Sequence, residues 1–236
     1  WVTNKQGNTT NTRNIVALTD LGENTRVSNP MWGLTGSPVP SNNANSEYST
    51  IVNSYSAARD IDQTSTVLDG IPGFVGGADY EKLQSARLLS SSEYSVNQAL
   101  GYVSLKSSLQ TDQVLAVAYE YTAGGQTYQV GEFASDMKDV QQAIFVKALK
   151  NTSNNPRQGN WDLMMKNVYY LASSVEKDKF RLDVKYQSDT TGVYLSYIPE
   201  QQVKDLTMIK LLGATDSTTT TRCTATDTST LLKDTP

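Results

Sequence analysis

Histidine is absent from all 236 residues, and its absence excludes several common kinds of catalytic and metal site. Ser-His-Asp and Cys-His catalysis both require an imidazole, as do the metal sites that histidine ligates. The one cysteine, Cys223, has no partner for an internal disulfide, and nothing in its threonine-rich surroundings would activate a thiol. One cysteine is compatible with a reducing cytosol and with an exported protein that needs no disulfide.

Basic blocks and long apolar runs are also missing. The 20 Lys and Arg residues are outnumbered by 24 Asp and Glu residues, which gives a net charge of −4. Without a basic patch, binding to nucleic acid is not expected. No apolar run reaches the roughly 18 residues that a transmembrane helix needs, so no such helix is expected. The sequence begins with Trp1 rather than Met, and a fragment of a longer polypeptide is the simplest explanation.

The composition favours a β-rich fold. Charged residues make up only 19% of the chain, and 13 tyrosines accompany many Gly, Ser, Thr and Asn residues. Tyrosine is frequent in strands, and the small polar residues are frequent in turns. The sequence therefore predicts an α+β to mostly β fold, with an antiparallel sheet or sandwich and two or three packed helices.

Helices are predicted in three places from apolar residues at helical spacing. The first begins after Ser46, the predicted N-cap, and extends towards Leu68. The second begins after Asp136 and ends near Asn151, and the third covers residues 201–212. The apolar face of the first consists of Tyr48, Ile51, Val52, Tyr55 and Ala58, and that of the second of Met137, Val140, Ile144, Phe145, Ala148 and Leu149.

The remaining segments predict strands and loops. Residues 21–46 form a long loop rich in Asn, Pro, Ser and Gly, in which Trp32 is either a plug into the domain's own surface or a partner contact. Residues 161–171 fit a helix or a strand, and a strand is favoured in their second half. Strands are predicted at 12–19, 94–97, 101–105, 180–186 and 192–198.

The clearest local pattern is VLAVAYEYTAGGQTYQVGEF, residues 114–133. A two-residue turn at Gly124 and Gly125 predicts a hairpin in which Ala123 faces Gln126. Tyr121 then lies opposite Tyr128, and Tyr119 opposite Val130, with Leu115 and Val117 continuing the same face. The opposite face carries the small residues Val114, Ala116 and Ala118. The three tyrosines of this segment, Tyr119, Tyr121 and Tyr128, are predicted to bind a partner, as is Trp32.

Motifs for catalysis or metal binding are weak throughout. The glycines of 69–82 lack the spacing of a phosphate-binding loop, and residues 60–70 fail the calcium-loop pattern at two positions. Residues 174–177 match S-x-x-K without its companion motifs. Glu120, Glu132 and Asp136 lie near one another in sequence, but nothing singles out a catalytic carboxylate pair. No catalytic residue, cofactor site or metal site is therefore predicted, and the protein is expected not to be an enzyme.

Several long stretches together resemble the SprA/Sov family, the large outer-membrane translocon of the type IX secretion system that is linked to gliding motility. They are RNIVALTDLGE (13–23), ARDIDQTSTVLDGI (58–71), the block from Phe74 to Phe133, WDLMMKNVY (161–169) and FRLDVKYQSDTTGVYLSYIPE (180–200). The resemblance spans residues 13–213. The threonine-rich tail, residues 214–236, does not match, so the expected organisation is an SprA-like domain at 1–213 followed by a low-complexity tail.

The resemblance implies a part of a giant single-chain β-barrel that exports folded cargo across the outer membrane of a Gram-negative bacterium. Its partners would be other secretion subunits, among them a lipid-binding barrel partner and a plug protein, and the secreted cargo. The short strands and amphipathic helices do not match a barrel wall, which favours a soluble domain on the extracellular or periplasmic side, attached to the membrane through the rest of the parent chain. The expected role is structural, gating or partner docking. The alternative is a stand-alone cell-surface module that binds a glycan or a protein.

Overall fold

Two compact units divide the chain, Trp1–Met165 and Lys166–Pro236. The computed structural model describes residues 1–5, 7, 10–153, 155–165, 183–188, 190–199 and 206–211. The strands of the first unit are β1 (Thr12–Leu18), β2 (Tyr80–Arg87), β3 (Tyr94–Asn97), β4 (Tyr102–Leu105), β5 (Leu115–Val117), β6 (Tyr119–Ala123), β7 (Gln126–Val130) and β8 (Ile144–Lys150). Its helices are α1 (Glu47–Ser54), a 3₁₀ turn (Ser56–Arg59), α2 (Thr64–Leu68) and α3 (Asn160–Leu163). The described part of the chain is thus rich in strands, as the composition predicts.

A four-stranded sheet with the order β2-β1-β8-β5 organises the first unit. Strands β1 and β2 are antiparallel, as are β5 and β8, but β1 and β8 run parallel, with Ile15 opposite Ile144. The sheet is therefore mixed rather than purely antiparallel as predicted. A parallel pair requires a long crossover connection, and here the crossover contains most of the unit.

Strand β8 occupies residues for which the sequence predicted a helix, and that prediction was wrong. The apolar residues from Ala143 to Ala148 are buried without interruption, because this strand is covered on both faces. A short apolar run of this kind does not distinguish a buried strand from a helix by its spacing alone. Asp136, the predicted N-cap, instead accepts a hydrogen bond from the Phe133 N–H (2.8 Å) in a turn.

Residues 1–3 bridge the two edges of the sheet and close it into a small barrel. Val2 exchanges two backbone hydrogen bonds of 2.9 Å with Arg87 at the end of β2. On the other side, the Ala116 N–H of β5 donates to the Trp1 carbonyl at 3.0 Å, and the Thr3 N–H donates to the Val114 carbonyl at 3.3 Å. Both outer strands are thereby paired at these positions, so the sheet closes on itself.

Apolar side chains form separate cores on the two faces of the curled sheet. The barrel interior takes residues from all four strands, many of them small, as a narrow barrel requires. They are Ile15, Ala17, Leu83, Ala86, Val114, Ala116, Ile144, Val146 and Ala148. The outer core lies between the sheet and the helices and long loop, and its members include Val16, Leu18, Trp32, Ile51, Leu68, Phe74 and Phe145.

The first predicted helix is present but shorter than expected. Helix α1 ends at Ser54, the 3₁₀ turn follows, and α2 begins only at Thr64. The Ser46 side chain does not cap α1. Its hydroxyl accepts a hydrogen bond from the Gly33 N–H (3.0 Å), and Asn45 accepts the one from the Glu47 N–H (2.9 Å). The long loop is thereby tied to the start of the helix.

Both predicted hairpins are present, and the register predicted for β6–β7 is confirmed. In β6–β7, Ala123 faces Gln126, Tyr121 faces Tyr128 and Tyr119 faces Val130. The other hairpin, β3–β4, pairs Tyr94 to Asn97 with Leu105 to Tyr102. The predicted continuation of the first hairpin through Leu115 and Val117 was wrong, because the chain leaves the ladder at Ala118 and β5 joins the barrel instead.

The second unit contains a short hairpin, formed where strands were predicted at 180–186 and 192–198. Strands β9 (Tyr186–Gln187) and β10 (Tyr194–Leu195) are antiparallel, and the Met208 N–H at the start of α4 (Met208–Leu211) donates to the Ser196 carbonyl at 2.9 Å. The predictions for residues 166–171, 180–182, 201–205 and 214–236 lie outside the described residues. None of the described helices is long and apolar enough to span a membrane.

Barrel closure leads to a prediction for Val2→Pro. The substitution removes the N–H that donates to the Arg87 carbonyl, which leaves this acceptor without its partner in the barrel. We expect a loss of roughly 1–3 kcal/mol in the free energy of unfolding, measured by urea denaturation. Hydrogen exchange should show faster exchange of the Arg87 and Ala116 amides and unchanged protection of Ile144. Equal protection of all three amides in the variant would contradict a closed barrel.

Candidate functional site

Three tyrosines of hairpin β6–β7 form a stack on one face, here called the tyrosine stack: Tyr119, Tyr121 and Tyr128. The ring centroids of Tyr119 and Tyr121 lie 6.0 Å apart, and those of Tyr121 and Tyr128 lie 5.7 Å apart. Tyr119 is 38% exposed, and the other two are partly buried. Because the strand register places all three on the same side, the hairpin presents a continuous aromatic surface.

The long loop fixes the hairpin along the outer edge of β7. The Asn42 N–H donates to the Gln129 carbonyl at 2.8 Å, and the Asn42 side chain accepts from the Gly131 N–H at 2.7 Å. The Tyr121 hydroxyl donates to the Pro40 carbonyl at 2.6 Å. These bonds cover a strand edge and orient the middle tyrosine of the stack.

At the base of the hairpin, Gly131 occupies a position that tolerates no side chain. Its φ of 78° lies in the left-handed region. A Cβ there would lie 3.0 Å from the Ala118 Cβ and 3.2 Å from the Val117 carbonyl oxygen. The close approach lets the chain turn from β7 directly into the buried Glu132.

Glu132 joins the hairpin to the helical layer and to the sheet. Arg59 donates to its carboxylate from both terminal nitrogens, at 2.6 and 2.8 Å. The Tyr48 hydroxyl donates at 2.7 Å and the Phe145 N–H at 2.9 Å, while the Glu132 N–H donates to the Phe145 carbonyl at 2.8 Å. Glu132 is 4% exposed, so this charged side chain is buried with its hydrogen-bonding capacity filled.

Arg59 is held equally firmly on its own side. Its guanidinium lies 4.4 Å from the centroid of the Phe145 ring, and its backbone carbonyl accepts from the Ala143 N–H at 2.7 Å. Burial lowers the pKa of Arg59, but the hydrogen bond and charge of Glu132 outweigh it and raise that pKa. Burial, together with Glu132, raises the pKa of the Tyr48 hydroxyl. Arg59 therefore stays charged and Tyr48 stays protonated at neutral pH.

A second buried polar group is Glu47, in the first turn of α1. Its side chain is fully buried, and neither carboxylate oxygen has a hydrogen-bond partner among the described residues. Burial raises its pKa well above the usual value, the charges of Asp20, Asp79 and Glu23 raise it further, and Lys147 lowers it. Lys147 itself donates to Glu23 at 2.7 Å, so its charge is shared.

The other candidates from the sequence lie in ordinary structural surroundings. Trp32 is 3% exposed and packs edge-on against Phe74, with ring centroids 5.4 Å apart, so it offers almost no surface to a partner. Glu120 faces Gln129 on the side of the hairpin opposite the tyrosines. Asp60 accepts from the Asp62 N–H (3.0 Å) before α2. Residues 174–177 and Cys223 lie outside the described residues.

The tyrosine stack is an ordered aromatic surface at the edge of the first unit. Within the described ranges, no group of three or more His, Cys, Asp or Glu side chains is placed to hold a metal ion. The tyrosine stack presents flat aromatic rings with hydroxyl groups at their ends, and such a surface suits protein and sugar partners.

No family model matches the chain, and no curated protein matches it.

The register of the three tyrosines could be predicted from the sequence, but the groups that support the hairpin could not. The tyrosines follow from hairpin spacing, which is local. Arg59 and Glu132 are 73 positions apart, and neither carries a motif that indicates the other. Asn42 lies in a polar loop among several similar residues. The one available signal was that Glu132 follows a glycine at the end of an alternating strand, in an otherwise apolar setting.

Replacing Glu132 tests whether its carboxylate supports the site. Glu132→Gln leaves Arg59 with an uncompensated charge, and we expect a loss of roughly 3 kcal/mol in the free energy of unfolding. Tyr48→Phe removes one hydrogen bond to the same carboxylate and should cost about 1.5 kcal/mol. Urea denaturation measures both. If both substitutions lowered the free energy of unfolding by the same small amount, the ion pair between Arg59 and Glu132 would not be the main stabilising contact of Glu132.

Glu47 generates a pH-dependent prediction. Because the pKa of Glu47 is raised, the native state holds the proton more tightly than the unfolded state. The protonated Glu47 therefore contributes fully to the free energy of unfolding below about pH 4.5, and this contribution is lost as pH rises. Glu47→Gln should therefore match the wild type near pH 4 and become progressively more stable relative to it towards pH 8. Urea unfolding midpoints across this range measure the difference.

Glu93→Gln is a control of opposite sign. Its hydrogen bond to Arg87 lowers the pKa of Glu93 to about 2, so the wild-type carboxylate stabilises the fold above its ordinary pKa and ceases to do so as pH falls towards 2. The loss of stability of Glu93→Gln relative to the wild type should be complete at neutral pH and should become smaller in acid. A Glu47→Gln difference that stays constant with pH would show that Glu47 is not buried as described.

Proposed function

We propose that this chain is a non-enzymatic docking or gating domain of a type IX secretion translocon of the SprA/Sov type, in the outer membrane of a Gram-negative bacterium. The proposal rests on the long, ordered stretches that resemble that family. The structure adds a physical link between two of them, because Arg59 belongs to the 58–71 stretch and Glu132 to the 74–133 stretch. Residues of the two resembling stretches thus contact each other, and their contact fixes the base of the hairpin.

The observation that carries the docking role is the tyrosine stack on its rigid base. Docking energy at protein interfaces concentrates in a few aromatic side chains that are already ordered before binding. Tyr121 is oriented by the Pro40 carbonyl, and the hairpin base is fixed by Glu132. Tyr119 is the most exposed of the three. We assign the role of first contact to Tyr119, with another secretion subunit or the cargo as the partner.

On this proposal the domain is a soluble insertion in a much larger β-barrel chain, on the extracellular or periplasmic side. Its work is to hold a shape at the pore and to bind, with no covalent step. A sandwich arrangement of the domain's own strands belongs to the same proposal.

A second candidate function is a surface module that binds a glycan. The observation in its favour is the spacing of the tyrosine rings, 5.7 and 6.0 Å between neighbouring centroids, which offers adjacent flat faces for sugar rings. The two functions differ in the partner and not in the surface, so one set of variants tests both.

Tyr119→Ala is the decisive substitution. Among the described residues, the Tyr119 side chain makes no hydrogen bond. The substitution should therefore remove the contact with the partner and leave the fold intact. The purified domain is titrated against the plug protein and the lipid-binding barrel partner of the type IX system, and separately against a glycan array. We expect the variant to weaken subunit binding by about 30-fold, the effect of losing one strong contact residue of ~2 kcal/mol.

Two matched controls accompany it. Tyr121→Phe loses the Pro40 hydrogen bond but keeps the ring, and Tyr102→Ala removes a tyrosine from the other hairpin, so both should bind nearly as the wild type does. Sugar binding lost in Tyr119→Ala, without subunit binding, would favour the second function. A domain that binds neither class would contradict both.

A further inference from the structure

The turn that follows β1, residues 20–23, packs against one end of the tyrosine stack. A Cβ added to Gly22 would lie 2.7 Å from Cγ1 of Val130, so the backbone of this turn is in contact with the Val130 side chain. Val130 is the cross-strand neighbour of Tyr119 and lies on the same face of the hairpin. Glu23 follows Gly22 directly, which places Glu23 at the Tyr119 end of the stack.

Glu23 is held in place with one carboxylate oxygen left for a partner. Its N–H donates to the Asp20 carbonyl at 3.0 Å, and its carbonyl accepts from the Asn45 side chain at 2.9 Å. The ammonium of Lys147 donates to Oε1 of Glu23 at 2.7 Å. Among the described residues, no donor is bonded to Oε2, and the Glu23 side chain is 27% exposed. Oε2 can therefore accept a hydrogen bond from outside the domain.

The electrostatics of Tyr119 agree with this placement. Burial raises the pKa of its hydroxyl most, and Tyr121 and the charge of Glu23 raise it further. A carboxylate acts on a hydroxyl in this way when the two groups lie near each other. Tyr119 is also the last ring of the stack, with Tyr121 beside it on one side only. This end of the stack thus combines an exposed aromatic ring with a nearby carboxylate.

Within the described residues, the segments that contact the stack supply no unpaired basic side chain at the surface. Residues 114–133 contain no Lys or Arg. Residues 21–46 contain one, Arg26, which pairs with Asp162 at 3.1 Å. Lys147 is 5% exposed, so its ammonium is not presented to a partner. The surface therefore offers aromatic rings and a carboxylate oxygen without a competing cation, and this charge distribution is complementary to a positively charged partner.

We propose that the Tyr119 end of the tyrosine stack binds an arginine side chain of the partner. This inference rests on the docking role proposed above and names the chemistry that the docking surface recognises. A guanidinium is planar and lies flat on an aromatic ring, whose electron-rich face attracts the positive charge. In that position one of its N–H groups donates to Oε2 of Glu23. An apolar or acidic segment would instead cover this carboxylate without a bond to it, which is unfavourable.

A short peptide of alternating glycine and arginine is the probe. It is titrated into the purified chain, residues 1–236, with the tyrosine ring carbons labelled for NMR. The ring signals of Tyr119 should shift and reach saturation. The same peptide with citrulline in place of arginine keeps the shape of the side chain but loses its charge, and it should bind about tenfold more weakly.

Substitutions separate the ring from the carboxylate. Tyr119→Leu removes the ring and should weaken binding of the arginine peptide by about fivefold, whereas Tyr119→Phe keeps the ring and should bind as the wild type does. The ring signals of Tyr121 follow binding in these two variants. Glu23→Gln should weaken binding by about threefold. Glu120→Gln is the matched control, because Glu120 adjoins Tyr119 in β6 but lies on the opposite face of the hairpin, and it should leave the affinity unchanged.

Equal affinity for the arginine and citrulline peptides overturns the proposal. So does an effect of Glu120→Gln as large as that of Glu23→Gln, which would indicate unspecific attraction between charges. A Tyr119 ring that shows no saturable shift up to about millimolar peptide overturns it as well. Circular dichroism melting checks that each variant is folded. If Glu23→Gln unfolds because Lys147 loses its partner, the citrulline peptide and the two Tyr119 variants decide the question.

The result can be told apart from that of the docking experiment. If Tyr119→Ala abolishes binding of a secretion subunit but arginine and citrulline peptides bind alike, the docking role stands and the arginine contact is overturned. If the arginine peptide is preferred but no secretion subunit binds, the arginine contact stands and the translocon role is contradicted. Glycan binding without a preference for arginine also overturns the arginine contact and favours the second candidate function.

Discussion

The arrangement of the first unit depends on the hydrogen bonds that the buried carboxylate of Glu132 accepts. It accepts hydrogen bonds from Arg59 and Tyr48 in the helical layer and from the backbone of Phe145 in the sheet, and it directly follows the tyrosine hairpin. A buried charge is costly unless it is fully paired, so removing any partner affects all three structural parts together. The chain thereby couples the position of its aromatic surface to the integrity of its core.

The two faces of the sheet serve different purposes. The barrel interior is built from small and branched side chains of all four strands, which form a narrow, apolar core. The outer face is covered by helices and by the long loop, and this layer contains the buried polar groups, including Glu47 and Glu132. Polar interactions specify where the surface hairpin lies, while the apolar barrel provides the stable frame that carries them.

The sequence was informative wherever structure is local. The β6–β7 register followed from two glycines and alternating tyrosines, and β1, the long loop, α1 and the β3–β4 hairpin followed from similar short-range patterns. It failed where burial on both faces erased the alternation, as in β8, and where a polar side chain found a distant partner, as in Arg59 and Glu132. Barrel closure by residues 1–3 was equally unpredictable, because three residues carry no periodicity and their pairing is decided by the edges they meet.

The parallel pairing of β1 with β8 also affects the rate of folding. Ile15 and Ile144 are neighbours in the sheet, so the centre of the barrel joins the beginning of the unit to its end. Such non-local contacts slow folding, since a long loop must close before they form. During synthesis β1 and β2 can pair early, but β1 keeps an apolar edge without its neighbour until β8 has been made. A chain with this topology needs protection from aggregation while it waits, whether at the ribosome or on a route across a membrane.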